Sequence, residues 1–153
     1  MFAEMMDYRP TPYTSMPDFK HLLETTRTIA VIGCSDNPWR TSYDIARYMQ
    51  EAGYRIIPIN PNIQEVLGEP AYPDLAHVPL DVQIDLVNIF RQPQHTAEMV
   101  EQVLARIATS GERPVIWTQL GVSSPKAEQL AADAGLPYVH ERCIAVEHRR
   151  AFS

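Results

Sequence analysis

The sequence predicts a single α/β domain built on a doubly wound parallel sheet. Short apolar runs rich in β-branched residues recur along the chain, most clearly at 28–33 and 84–90. Between such runs lie segments with apolar residues at helical spacing, for example Val100, Val103, Leu104 and Ile107. The two kinds of segment alternate, and strands alternating with helices make a parallel sheet covered on both faces. The length of 153 residues is that of one domain, enough to bury roughly two thirds of the unfolded surface.

Each element has a local reason. Residues 1–17 hold Pro10, Pro12 and Pro17 without periodicity and read as an irregular arm before a domain spanning 18–153. A short helix over 18–26 places Phe19, Leu22 and Leu23 on one side, capped by Ser15 or Asp18. The run 28–33 is a buried strand ended by Gly33. In 42–52, Ile45, Met49 and Ala52 share a helical face, and Gly53 stands where a C-terminal cap belongs. Residues 54–59 form the second strand, in which Pro58 calls for a strand end or an edge. The segment 61–79, with Pro61, Pro70, Pro73 and Pro79, reads mostly as loop, with one helical turn and a short strand near Ala71 and Tyr72. A strand over 84–90, a helix over 93–109 and a strand over 115–118 follow. Ser124 and Pro125 read as N-cap and first helical residue of a helix that runs through Ala127, Leu130, Ala131 and Ala134 to Gly135. Residues 138–140 supply the last strand. The predicted fold is Rossmann-like.

Composition narrows the function. No apolar run approaches the ~20 residues of a membrane span, and the first residues lack the basic start and apolar stretch of a signal peptide, so a cytoplasmic location is expected. Cys34 and Cys143 are the only cysteines and make no disulfide framework. A formal net charge of -6 argues against a nucleic-acid surface, but not against a small anion held by a few local donors.

Ligands of open parallel sheets bind beyond the carboxyl ends of the strands. The first strand leads into Gly33, Cys34, Ser35, Arg40, Thr41 and Ser42. Glycine allows a tight turn, the hydroxyls and guanidinium are donors, and a helix N-terminus follows with unpaired N–H groups. Together these suit a phosphate or pyrophosphate. The plainer reading makes Ser42 or Thr41 a helix cap and leaves Arg40 in solvent. A dinucleotide fingerprint G-x-G-x-x-G keeps only Gly33 here, with Ser35 and Pro38 at the other two positions. The acid expected after the second strand is replaced by Asn60 and Pro61. An NAD(P)-binding oxidoreductase is therefore a weaker reading of the same fold.

The ordered motifs Val31-Ile-Gly-Cys-Ser35, Pro38-Trp-Arg-Thr-Ser42-Tyr, Gly53-Tyr-Arg-Ile-Ile-Pro-Ile-Asn-Pro61, Phe90-Arg91, Trp117-Thr-Gln-Leu-Gly-Val122 and Arg142-Cys143 resemble those of the small bacterial and archaeal CoA-binding proteins. These are stand-alone relatives of the CoA-binding domain of the succinyl-CoA synthetase α subunit. The resemblance runs from about Phe19 to Arg150 and implies coenzyme A or an acyl-CoA as ligand. It implies that Gly33, Ser35, Arg40 and Ser42 hold the pyrophosphate and that Asn60, Pro61, Phe90 and Arg91 border the adenosine part. Gln119 and Gly121 would line the pantetheine arm. Cys34 stands where the family often has Ala, giving a second thiol near the ligand, and Glu141 stands where Asp is usual.

Cys143 is the candidate reactive residue. It could form a mixed disulfide with CoA or accept an acyl group, helped by Arg142, His140 or His148; the competing reading is a buried structural cysteine. The spacing of His140, Cys143 and His148 falls short of the four clustered ligands of a structural zinc, and no metal is expected. Trp39 either stacks on adenine or covers the loop. Asp81, Asp85 and Glu98 make no evident acid–base pair, and no nucleophile elbow is present. The sequence thus reads as a binding module rather than an enzyme, with cysteine-dependent CoA-disulfide or acyl transfer as the alternative.

Overall fold

The computed structural model describes residues 18–153; the predicted arm over 1–17 lies outside the described residues. The elements run α1 (Phe19–Thr25), β1 (Thr28–Ile32), α2 (Thr41–Glu51), β2 (Arg55–Ile59), β3 (Glu65–Val66), β4 (Glu69–Pro70), a 3-10 turn (Leu75–His77), β5 (Leu86–Ile89), α3 (Pro93–Ser110), β6 (Val115–Thr118), α4 (Pro125–Asp133), β7 (Tyr138–Val139) and α5 (Ile144–Phe152). A five-stranded parallel sheet has the order β2-β1-β5-β6-β7. This is the doubly wound, Rossmann-like domain expected from the sequence.

The caps follow local chemistry. Asp18 caps α1 by accepting from the His21 N–H. Ser124 caps α4 by accepting from the Ala127 N–H, with Pro125 in the first turn, where its missing N–H costs nothing. Pro58 sits in an edge strand, as its ring demands. Its carbonyl faces outward and accepts from the Tyr72 N–H. The N–H and C=O of a strand residue point to the same side, so the missing N–H also faces the edge and the ladder to β1 loses nothing.

Alternate side chains of each strand feed two cores. On one face Ile29, Val31, Ile56, Leu86 and Trp117 pack with Leu23 of α1, Ile45 and Met49 of α2, and Ile144 of α5. On the other, Ala30, Ile32, Ile57, Val87, Ile89 and Ile116 pack with Val100 and Val103 of α3 and Ala127 and Ala131 of α4. Among the described residues, no helix is long and apolar enough to cross a membrane.

Two parts of the sequence reading are corrected. The segment 61–79 contains an antiparallel hairpin, β3 with β4, turned through Leu67 and Gly68 at positive φ. Tyr72 adds only a single bridge to Ile59. After β7 the chain does not end on a strand but forms α5. This helix starts at Cys143 without a capping side chain, so the usual start signal is missing. Its only sequence cue is the spacing of Ile144, Ala145, His148 and Phe152.

Candidate ligand-binding cleft

The chain leaves β1 toward β2 and returns to β5 on the other side of β1. The carboxyl ends of β1 and β5 therefore border a crevice at the point where the winding reverses. Gly33 sets its floor. Its φ is +85°, and a Cβ there would lie 2.2 Å from the Phe90 carbonyl oxygen. Its N–H donates to the Ile59 carbonyl at 2.8 Å, and the Phe90 N–H donates to Ile32 at 2.8 Å. Three strand ends are thus held together with no room for a side chain.

The loop beyond Gly33 is tied from within. The Ser35 N–H donates to Ser42 Oγ at 3.0 Å, the Asn37 N–H to Ser35 Oγ at 3.0 Å, and the Trp39 N–H to Asn37 Oδ1 at 3.0 Å. Asn60 Nδ2 donates to the Cys34 carbonyl at 2.8 Å, while its Oδ1 accepts from the Asn62 N–H at 2.9 Å. Asn60 therefore couples the loops after β1 and β2. Neither Thr41 nor Ser42 caps α2: the N-cap is Arg40, and no side chain bonds the first turn. Ser42 is buried. Its oxygen accepts from Ser35 and its own hydroxyl proton remains to be donated.

The resulting cleft, of about 810 Å³, is lined by Gly33, Ser35, Arg40, Thr41, Ser42, Asn60, Phe90, Arg91, Gln119, Gly121 and Cys143 among the residues singled out from sequence. Its size is in the usual range for small-ligand sites. Ile45, Gln92, Pro93, Leu120 and Val122 complete the wall together with Trp39. Trp39, Leu120 and Val122 lie within the quoted motifs, whereas Ile45, Gln92 and Pro93 enter because the loop after β5 meets the start of α2. Trp39 is 93% exposed, so it does not cover the loop.

Two candidates are not part of the lining. Pro61 is exposed beyond the rim. The Cys34 side chain is wholly buried in the core with Ile45, Ala46 and Trp117. Burial, and secondly the charge of Asp36, pushes its thiol up to about 11. A second reactive thiol at the ligand is therefore not what Cys34 provides; its backbone carbonyl, bonded to Asn60, is its link to the site.

Among the described residues the wall carries Arg40 and Arg91 and no carboxylate, although the chain as a whole has a net charge of -6. Arg91 Nε is buried without a hydrogen-bond partner among the described residues. A buried donor of this kind is costly unless an acceptor meets it.

Cys143 is brought in by β6. Trp117 Nε1 donates to the Arg142 carbonyl at 2.7 Å, the Glu141 N–H donates to Thr118 Oγ1 at 2.9 Å, and the Ile144 N–H donates to Gln119 Oε1 at 3.0 Å. Cys143 is half-buried at the N-terminus of α5. Its sequence neighbours turn elsewhere. His148 Nδ1 pairs with the Tyr48 hydroxyl at 2.9 Å, His140 faces Glu128, and the Arg142 guanidinium lies over the Phe19 ring. None of the three is positioned to activate this thiol.

A family model described as "CoA binding domain" matches residues 27–149. The chain belongs to this family. The resemblance carried by the sequence motifs is thereby borne out. Within the family the chain is 38% identical over 134 residues to the uncharacterized protein YneT of Bacillus subtilis (strain 168), an alignment covering 88% of this chain and 94% of YneT. A hypothetical protein from Pyrococcus horikoshii OT3 has a solved structure that is 33% identical with a TM-score of 0.83, over 95% of this chain and 98% of that one. ADP-forming acetate–CoA ligase II of Archaeoglobus fulgidus is 25% identical over 111 residues, 71% of this chain but 16% of the ligase.

Proposed function

We propose that the cleft binds coenzyme A or an acyl-CoA and that the protein acts as a CoA-binding module. The observation that carries this reading is the charge of the wall: two arginines and an uncapped helix start, with no carboxylate among the described residues, on a chain of net charge -6. Such a wall favours a ligand with several anionic groups. A pyrophosphate would be held by the first turn of α2, the Ser42 hydroxyl and Arg40. The unpaired Nε of Arg91 calls for an acceptor, which a phosphate or the adenosine part would supply. Gln119 and Gly121 would face the pantetheine arm. The lack of an acid after β2 also favours a phosphorylated ribose over the free diol of NAD.

Calorimetric titration of the reduced protein with CoA, dephospho-CoA and NAD tests this. CoA is expected to bind, dephospho-CoA more weakly, and Arg40→Ala is expected to weaken CoA binding about tenfold or more, the value of one charge-assisted contact. Binding of NAD in place of CoA would overturn the reading.

A further inference from the structure

The wall of the cleft formed by the loop after β6 and the start of α5 carries a pairing that a plain nucleotide site does not need. Gln119 is only 5% exposed yet borders the cleft. Its amide orientation is dictated: Oε1 accepts from the Ile144 N–H at 3.0 Å, so Nε2 is the other end of the group. No described residue accepts a hydrogen bond from Nε2. An NH₂ group that no described residue pairs, on a side chain that borders the cleft, is a donor available to an acceptor on the ligand. The residue before Ile144 is Cys143, whose thiol borders the same cleft at the start of α5, a helix without a capping side chain. Cys143, the Gln119 amide and the first turn of α5, whose leading N–H is already bonded to Gln119 Oε1, therefore stand on one wall of the cleft.

We propose that this wall is a thioester-exchange site, at which Cys143 takes the acyl group of an acyl-CoA while Gln119 Nε2 holds the thioester oxygen. This rests on the CoA reading and deepens it. Cys143 Sγ attacks the thioester carbonyl, and the oxygen, negative in the tetrahedral intermediate, is met by the Gln119 amide. The C–S bond to CoA then breaks. The products are S-acyl Cys143 and free CoA thiol, the proton lost by Cys143 passing to the departing sulfur. One thioester replaces another, so no oxidant or other co-reactant is needed.

The test follows intact mass and peptide mapping after incubation with acetyl-CoA or butyryl-CoA, together with release of free CoA measured by chromatography. Wild type is expected to gain one acyl group on Cys143 with release of one equivalent of CoA. Cys143→Ser, studied at saturating ligand, is expected to gain none. Gln119→Glu keeps the acceptor for Ile144 and removes the amide donor; the acylation rate is expected to fall about a hundredfold, as for loss of one oxyanion donor. A small acyl thioester of N-acetylcysteamine, lacking the nucleotide, is expected to acylate Cys143 far more slowly than acetyl-CoA at equal concentration. Acyl-CoA binding by calorimetry without any acyl group on Cys143 overturns the exchange site and leaves the CoA reading intact. Equal rates from the small thioester, or an unchanged rate in Gln119→Glu, overturn it as well. Failure of CoA and acyl-CoA to bind at all removes the CoA reading itself.

Discussion

Gly33 illustrates a residue with two independent reasons for its identity. Its φ of +85° is strained for any side chain, and a Cβ would stand 2.2 Å from the Phe90 carbonyl oxygen. Gly53 has only the first reason, since its φ is +109° with nothing within 4 Å of a Cβ. Gly53→Ala is expected to cost about 1–2 kcal/mol from backbone strain alone. Gly33→Ala adds a collision with backbone that cannot move without parting β1 from β5, and is expected to cost more than about 3 kcal/mol. Urea denaturation of the two variants checks the difference; equal costs would show that the strand ends are not held as closely as described. Asn60 and Ser42 make a related point. Both border the cleft, but each is also spent on holding a loop, so their replacement would disturb the shape of the site as well as its donors.

At the scale of elements, a buried ion pair between α3 and the segment that follows it fastens the loop before β5 through hydrogen bonds of both partners. Arg106 Nε meets Glu112 Oε1 at 2.8 Å with both side chains almost wholly buried. The remaining guanidinium protons go to the carbonyls of Leu75, Val78, Pro79 and Val82. Burial pushes the Glu112 carboxyl up, but hydrogen bonds from Arg106, the Ile84 N–H and Ser110, with the Arg106 charge, outweigh it and hold the group below the usual carboxylate range. A carboxylate whose folded pKa is depressed contributes stability that is present above its unfolded value, about 4.3, and is lost as the pH falls through the folded one. Glu112→Gln leaves Arg106 buried without its counter-charge and is expected to cost about 3 kcal/mol at neutral pH. The gap between variant and wild type should close as the pH is lowered below about 4. Urea melts at neutral and acid pH measure both values; a gap independent of pH would mean that Glu112 is not ionised in the folded protein.

For the whole molecule, the notable feature is the separation of charge. The net charge is -6, yet among the described residues the charged side chains of the cleft wall are the two cations Arg40 and Arg91. A ligand bound there links the loops after β1, β5 and β6 and so stabilises the sheet as a unit. At a concentration one hundred times its dissociation constant, CoA is expected to add about 2.7 kcal/mol, a rise in Tm of roughly 8 °C for a domain of this size. At the same concentration a tenfold weaker Arg40→Ala variant should show about half the shift. Differential scanning fluorimetry reads both; no shift with CoA in wild type would count against the cleft as its site.

The strands of the five-stranded sheet, most helices and the loop after β1 were legible in the sequence because their causes are local, whereas the β3–β4 hairpin was not. β-Branched runs, the Ser124–Pro125 start of α4 and the Gly33 turn each act within a few residues. The same locality explains why most cleft residues could be named in advance: in a parallel sheet, ligand contacts follow strand ends. What the sequence left open depended on partners distant along the chain. Cys34 is adjacent to Gly33, but the direction of its side chain into the core was decided by packing against α2 and Trp117. α5 has no capping residue and is located instead by the hydrogen bonds of residues 141–144 to Trp117, Thr118 and Gln119. Amino-acid order by itself determined the α/β alternation and the glycine turn after β1. Only the tertiary structure decided which of the two cysteines borders the cleft and which amide group stands beside it, because burial and hydrogen-bond partners are set by elements that meet only when the sheet is assembled.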